Sequence, residues 1–136
     1  DAPPEETPAF RQALAEAGVH PVLLVAPTSP ARRISLIHAG GGGYIYYVSL
    51  RGVTGPRDRL PDDLAAGLQR LRAIAPKPVA VGFGISTPAQ AAAAAELADA
   101  VIVGSALVAE IERALGTPEL VSRAGRFLSA LRAAVG

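Results

Sequence analysis

Apolar residues along the chain fall into two alternating rhythms. Short runs rich in β-branched side chains occur at His20–Ala26 (HPVLLVA), Tyr44–Leu50 (YIYYVSL), Pro78–Val81 (PVAV) and Ala100–Val103 (AVIV). Within them hydrophobicity is nearly continuous rather than alternating, the pattern of parallel strands covered on both faces. Between them apolar positions recur at helical spacing. Pro8–Ala17 sets Phe10, Ala13, Leu14 and Ala17 on one stripe, and Pro30–Ala39 gathers Ile34, Ile37 and His38. Leu64, Leu68, Leu71 and Ala75 repeat at steps of three and four. Pro88–Ala98 is alanine-rich, and two helices are expected after the last strand, Ala106–Leu115 and Pro118–Ala134.

The helix starts share one grammar. Thr7-Pro8, Ser29-Pro30, Thr87-Pro88 and Thr117-Pro118 each offer a hydroxyl at the N-cap followed by proline. The hydroxyl accepts an orphan N–H, and proline loses nothing there because its missing N–H would be unpaired anyway. Thr87-Pro88-Ala89-Gln90 has the form of a capping box. Gly18 and Gly116 stand where a helix-terminating residue is expected. Asp62 and Asp63 are expected in the first turn of a helix as dipole partners, and His38 at a helix end.

Strand alternating with helix implies β/α units and a parallel sheet. Four strands are too few for a closed barrel of eight. Two architectures fit: a small open doubly wound sheet, or half of a (β/α)8 barrel. The glycine-rich turns after the strands favour the half-barrel. Active sites of parallel α/β folds lie beyond the carboxyl ends of the strands. After the third strand comes Gly82-Phe83-Gly84-Ile85-Ser86, and after the fourth Gly104-Ser105, which opens a short helix ahead of the long final one. A phosphate dianion is held by backbone N–H groups where no Cβ blocks approach, at the positive end of a helix. A glycine loop beside an extra short helix is the recurrent phosphate site of such barrels. The same glycines also serve simply to make tight turns. The loop after the second strand, Arg51-Gly52-Val53-Thr54-Gly55-Pro56-Arg57-Asp58-Arg59, is charged: its glycines can hinge a lid over substrate, and equally it reads as a solvated surface loop whose charges keep it soluble.

Composition narrows the remaining classes. The 136 residues are half hydrophobic and 18% charged, so a disordered polyelectrolyte is excluded and one domain over residues 1–136 is expected. Thirteen basic against twelve acidic residues leave a charge of +1, no footprint for nucleic acid. The absence of cysteine excludes disulfides and thiolate metal sites and fits a reducing cytoplasm. No His or acid pair stands at ligand spacing for a metal. The apolar runs are too short to span a bilayer, and no secretory signal opens the chain. Asp1 is expected at the carboxyl end of a preceding strand, so that the opening DAPPEETP looks like a cut through a β/α unit.

Taken together, YIYYVSLRGVTG (Tyr44–Gly55), PVAVGFGIST (Pro78–Thr87) and ADAVIVGSALV (Ala98–Val108) resemble the α subunit of tryptophan synthase. The opening D-x-P-x-E-E (Asp1–Glu6) and the turn Ala26–Pro30 are similar to that family as well. The resemblance runs over essentially the whole chain, in order. It implies a (β/α)8 TIM barrel of which this chain is the C-terminal half, from the end of strand four through the final helix. The implied activity is a lyase of tryptophan biosynthesis that cleaves indole-3-glycerol phosphate to indole and glyceraldehyde 3-phosphate. Gly55, Gly84, Gly104 and Ser105 match the family's phosphate-binding positions. Thr54 matches a lid threonine, and Tyr46 and Phe83 match side chains near the indole ring. The family's catalytic glutamate and aspartate lie upstream of every residue present, so the isolated chain is expected to be inactive. No cofactor is implied for this subunit. Pyridoxal phosphate (PLP) is expected in a partner β subunit, within an α2β2 assembly. The alternatives are another phosphate-binding barrel enzyme, such as a phosphoribosyl isomerase relative, and an inert half-barrel that associates with itself through sticky sheet edges.

Overall fold

A computed structural model describes residues 3, 8–48, 60–82 and 84–136. Helix α1 (Pro8–Glu16) leads into β1 (Leu23–Val25), α2 (Ala31–Gly40) and β2 (Ile45–Val48). Then come α3 (Leu64–Ile74), β3 (Val79–Gly82), α4 (Pro88–Ala95), β4 (Ala100–Val101), α5 (Ser105–Arg113) and α6 (Leu120–Val135). The strands form one sheet in the order β1-β2-β3-β4, every neighbouring pair parallel. Val25, Tyr47, Val81 and Val101 stand opposite one another across the sheet, as do Leu24, Tyr46, Ala80 and Ala100.

The helices pack on the face carrying the first of these rows. Ile34 and Ile37 of α2 and Leu64, Leu68 and Leu71 of α3 form a buried cluster with Val25, Ile45, Tyr47, Val79 and Val81. Ala91 and Ala94 of α4 and Leu131 of α6 join Ile85 in a second cluster, against Val101 and Val103. A strand order that never reverses, combined with right-handed crossovers, keeps all helices on one side. A doubly wound sheet reverses direction and covers both. The architecture is therefore the barrel arc that the turns favour.

The strands' continuous hydrophobicity predicts cover on both faces. Among the described residues, the helices whose side chains pack on the sheet, α2, α3, α4 and α6, cover one face. The other presents the row Leu24, Tyr46, Ala80 and Ala100, the layer that fills the interior of a closed barrel.

Two expected caps are absent. Ser29 does not cap α2: the Ala26 N–H donates to its hydroxyl (3.0 Å), which closes the β1–α2 turn, and Pro30 takes the N-cap position. Thr117 likewise donates its hydroxyl to the Ala114 carbonyl (2.8 Å), and α6 begins at Leu120. In both cases a nearby backbone group outcompetes the helix end for the hydroxyl. Asp62 and Asp63 precede α3 rather than entering its first turn, because the Leu64 N–H closes a turn on the Pro61 carbonyl (3.1 Å). His20, expected to open a strand, lies ahead of β1. Gly18 and Gly116 do adopt the left-handed φ of helix-ending residues, +67° and +78°. Thr7 falls outside the described residues.

Candidate functional site at the carboxyl ends of β3 and β4

The two glycine turns lie side by side because their strands do. β3 and β4 are paired, and the Ile102 N–H extends the ladder to the Val81 carbonyl (2.8 Å). The three glycines of these turns do different work. Gly82 is a packing glycine: a Cβ there would fall 2.7 Å from the Tyr46 hydroxyl and 2.8 Å from the Ile102 Cβ. Gly84 has φ +65°, which disfavours any side chain, with open space where its Cβ would stand. Gly104 has an ordinary φ of −116° and equally open space. Among the described residues nothing therefore places a steric demand for glycine at Gly104, whereas close approach of a ligand to the backbone would.

Helix α5 starts at once after Gly104. The Gly104 carbonyl accepts from the Leu107 N–H (2.9 Å) and the Val108 N–H (3.1 Å). The N–H groups of Ser105 and Ala106 stay outside the helical ladder, at the positive end of the dipole. The expected start at Ala106 moves one residue earlier, which brings the Ser105 amide into that first turn.

Across from it, Thr87 caps α4 in a full capping box: the Gln90 N–H donates to the Thr87 hydroxyl (3.2 Å), and the Gln90 carboxamide oxygen accepts from the Thr87 N–H (3.2 Å). That oxygen also accepts from the Ser86 N–H (2.8 Å) and the Ser86 hydroxyl (3.2 Å). The box was visible in the sequence, but its hold on Ser86 was not. Arg70 is a second feature without a sequence signal. Its guanidinium donates from α3 to the carbonyls of Pro27 (3.1 Å) and Ser29 (2.9 Å), fixing the β1–α2 turn from about forty residues away.

Tyr46, expected near the indole ring, lies in the inner row of the sheet, with its hydroxyl over Gly82 on the strand that feeds the Gly84 turn. Gly84, Gly104 and Ser105 thus lie beyond the carboxyl ends of β3 and β4, and the Tyr46 hydroxyl reaches Gly82 at the end of β3. Thr54, Gly55 and Phe83 lie outside the described residues.

The acids that interact most strongly sit elsewhere. Asp99 stands just before β4, at the amino end of the sheet. It accepts from the Val79 N–H (2.9 Å) and pairs with Arg72 (3.1 Å), and these hold its carboxyl below the usual range. Glu110 of α5 pairs with Arg113 and with Arg123 of α6 (2.8 Å), and its carboxyl is likewise lowered, chiefly by the Arg123 hydrogen bond. Burial raises the Tyr47 hydroxyl, on the helix side of the sheet. The inner row holds no carboxylate among the described residues.

Sequential parallel strands, helices on one face and glycine turns at the carboxyl ends define the class: a segment of a (β/α)8 barrel. The family model described as the tryptophan synthase alpha chain matches residues 1–134, and the chain belongs to that family. A tryptophan synthase alpha chain from Geobacter sp. (strain M21) is 45% identical over 135 residues, which are 99% of this chain and 50% of that one. The crystal structure of the tryptophan synthase alpha subunit from Legionella pneumophila str. Paris superposes with a TM-score of 0.85 at 37% identity, covering 99% of this chain and 49% of that one. A structure of the tryptophan synthase α2β2 complex from Pyrococcus furiosus gives 0.77 at 34% identity, over 95% of this chain and 53% of that one. The chain spans about half the length of the curated relatives it matches. The family match disfavours a phosphoribosyl isomerase relative.

Proposed function

We propose that this chain is the phosphate-holding and lid-bearing portion of a carbon–carbon lyase that cleaves indole-3-glycerol phosphate to indole and glyceraldehyde 3-phosphate. Gly84, Gly104 and Ser105 hold the phosphate through backbone N–H groups, and Gly55 joins them from the lid loop. Tyr46 and Phe83 flank the indole ring. Thr54 acts as the lid threonine. The acid and base carboxylates that the cleavage requires come from outside this chain. A PLP-bearing β subunit receives the indole, in an α2β2 assembly in the cytoplasm.

The observation that carries this reading is Gly104. It opens a helix whose first N–H groups are uncommitted, it has space for a side chain, and it is nonetheless glycine. Membership in the family supplies the chemistry.

Two assays test the proposal. The 136-residue chain alone releases no indole from indole-3-glycerol phosphate. In an intact α chain carrying this segment, Thr54→Val lowers kcat about ten- to hundredfold and leaves KM nearly unchanged. Valine keeps the shape of threonine but loses a hydrogen bond to a charged group, worth about 1.5–3 kcal/mol in the closed state. Indole release by the isolated chain, or a silent Thr54→Val, contradicts these role assignments.

A further inference from the structure

We propose that Gln90 is the positioning residue of the anion site: its buried, uncharged carboxamide decides which N–H groups of the β3–α4 turn are left for the phosphate. The inference rests on the proposed function above and deepens it. Gln90 is 6% exposed, and its side-chain oxygen is the meeting point of three donors, the Ser86 N–H, the Ser86 hydroxyl and the Thr87 N–H. An amide oxygen has two lone pairs, so three donors saturate it.

The consequence is a division of labour within the turn. The N–H groups of Ser86 and Thr87, two natural donors ahead of the helix, are turned inward and occupied. Among the described residues of the turn, the N–H groups of Gly84 and Ile85 are not taken up by Gln90, and the Cβ position of Gly84 is open. Fixing Ser86 at both its N–H and its hydroxyl also fixes the peptide that follows Ile85, and so helps hold Gly84 at its left-handed φ of +65°.

The choice of amide over acid matters for the ligand. Glutamate serves equally well at this position of a capping box. Beside a bound dianion, however, a carboxylate would repel it, whereas the carboxamide accepts the same hydrogen bonds without charge. Gln90 therefore meets two conditions at once: a rigid turn and a site free of negative charge.

The test compares three variants of an intact α chain carrying this segment, by steady-state kinetics with indole-3-glycerol phosphate. Gln90→Ala removes the acceptor in a helix that after Pro88 is otherwise all alanine, and leaves room for water to satisfy Ser86 and Thr87. It is expected to raise KM about tenfold with kcat within twofold. Thr87→Ala weakens the same helix start but leaves the carboxamide oxygen on Ser86, so KM moves less than twofold. Gln90→Glu keeps the acceptor oxygen of the capping box, and serves if the alanine variant does not fold. It sets a carboxylate beside the phosphate, and KM rises at least fivefold at low salt. Equal KM changes in Gln90→Ala and Thr87→Ala, a loss in kcat with KM unchanged, or an unchanged KM in Gln90→Glu overturns the inference. If the parent itself shows no saturation by the substrate and no inhibition by glycerol 3-phosphate, it is the proposed function that fails.

Discussion

The two ends of the sheet are built on opposite plans. At the amino ends, most backbone and charged groups are paired with one another, with the buried His38 Nδ1 and Arg11 Nε as exceptions. Asp99 ties β3 to β4 through the Val79 N–H, Arg72 clamps Asp99, and Lys77 donates to the His38 carbonyl (2.8 Å) at the end of α2. The Gly42 N–H is taken by the Pro21 carbonyl (3.1 Å), and a Cβ at Gly42 would collide with His20. At the carboxyl ends of β3 and β4, by contrast, the N–H groups of Ser105 and Ala106 at the start of α5 are left outside the helical ladder. Saturated groups make stability, and pre-aimed unsatisfied ones make a binding site. This is how (β/α)8 barrels divide the labour between their two faces.

The comparison breaks if the helix-covered side and the carboxyl end are not separable. The largest effect is expected from Leu71→Ala in α3, a fully buried core side chain. It loses about 2–5 kcal/mol in denaturant unfolding. The substrate KM of an intact α chain carrying this segment and the substitution stays unchanged. Gly104→Thr does the opposite. Threonine is about as good an N-cap as glycine, so unfolding shifts by less than about 0.5 kcal/mol. Its methyl group occupies the open space, and KM rises about tenfold, or about 1.4 kcal/mol of binding. Gly84 is less informative for this purpose, because its positive φ makes any substitution a stability change as well.

The smallest effect concerns the amino end. The folded pKa of Asp99 lies below its unfolded value, so its contribution is fully present above about pH 4 and is lost as pH falls through the folded pKa. The side chain is half exposed, which keeps the contribution under about 1 kcal/mol after screening. Asp99→Asn should flatten that part of the acid-unfolding curve and leave anion binding untouched. A drop in phosphate affinity in this variant would couple the two ends and blur the contrast.

How far the sequence reveals these regions follows from the range of the forces involved. The helical stripes, the near-continuous strands and the glycine punctuation are local, and they locate ten elements and the parallel order they imply. The Thr87–Gln90 box is local too, and forms as expected. Ser29-Pro30 and Thr117-Pro118 present the same dipeptide grammar and yet do not cap, because a hydroxyl chooses among backbone partners that only the folded turn supplies. The bond from Arg70 to the Pro27 and Ser29 carbonyls joins residues far apart in sequence and leaves no pattern. Strand hydrophobicity predicts two covered faces but cannot say what covers the inner one. Of the proposed site, Gly84, Gly104 and Ser105 stand out in the sequence because glycine next to a helix start has a physical meaning, whereas the hold of Gln90 on Ser86 becomes visible only in three dimensions.

The central claim is that the carboxyl ends of β3 and β4 cradle an anion. Amide NMR of an intact α chain carrying this segment, titrated with glycerol 3-phosphate, tests it most directly. The largest shifts are expected at the N–H groups of Gly84, Gly104 and Ser105, with the amides of Gly42 and Val79 at the opposite end unmoved. Saturable shifts centred at the amino ends, or binding that leaves Gly84 and Gly104 unchanged, would contradict the account.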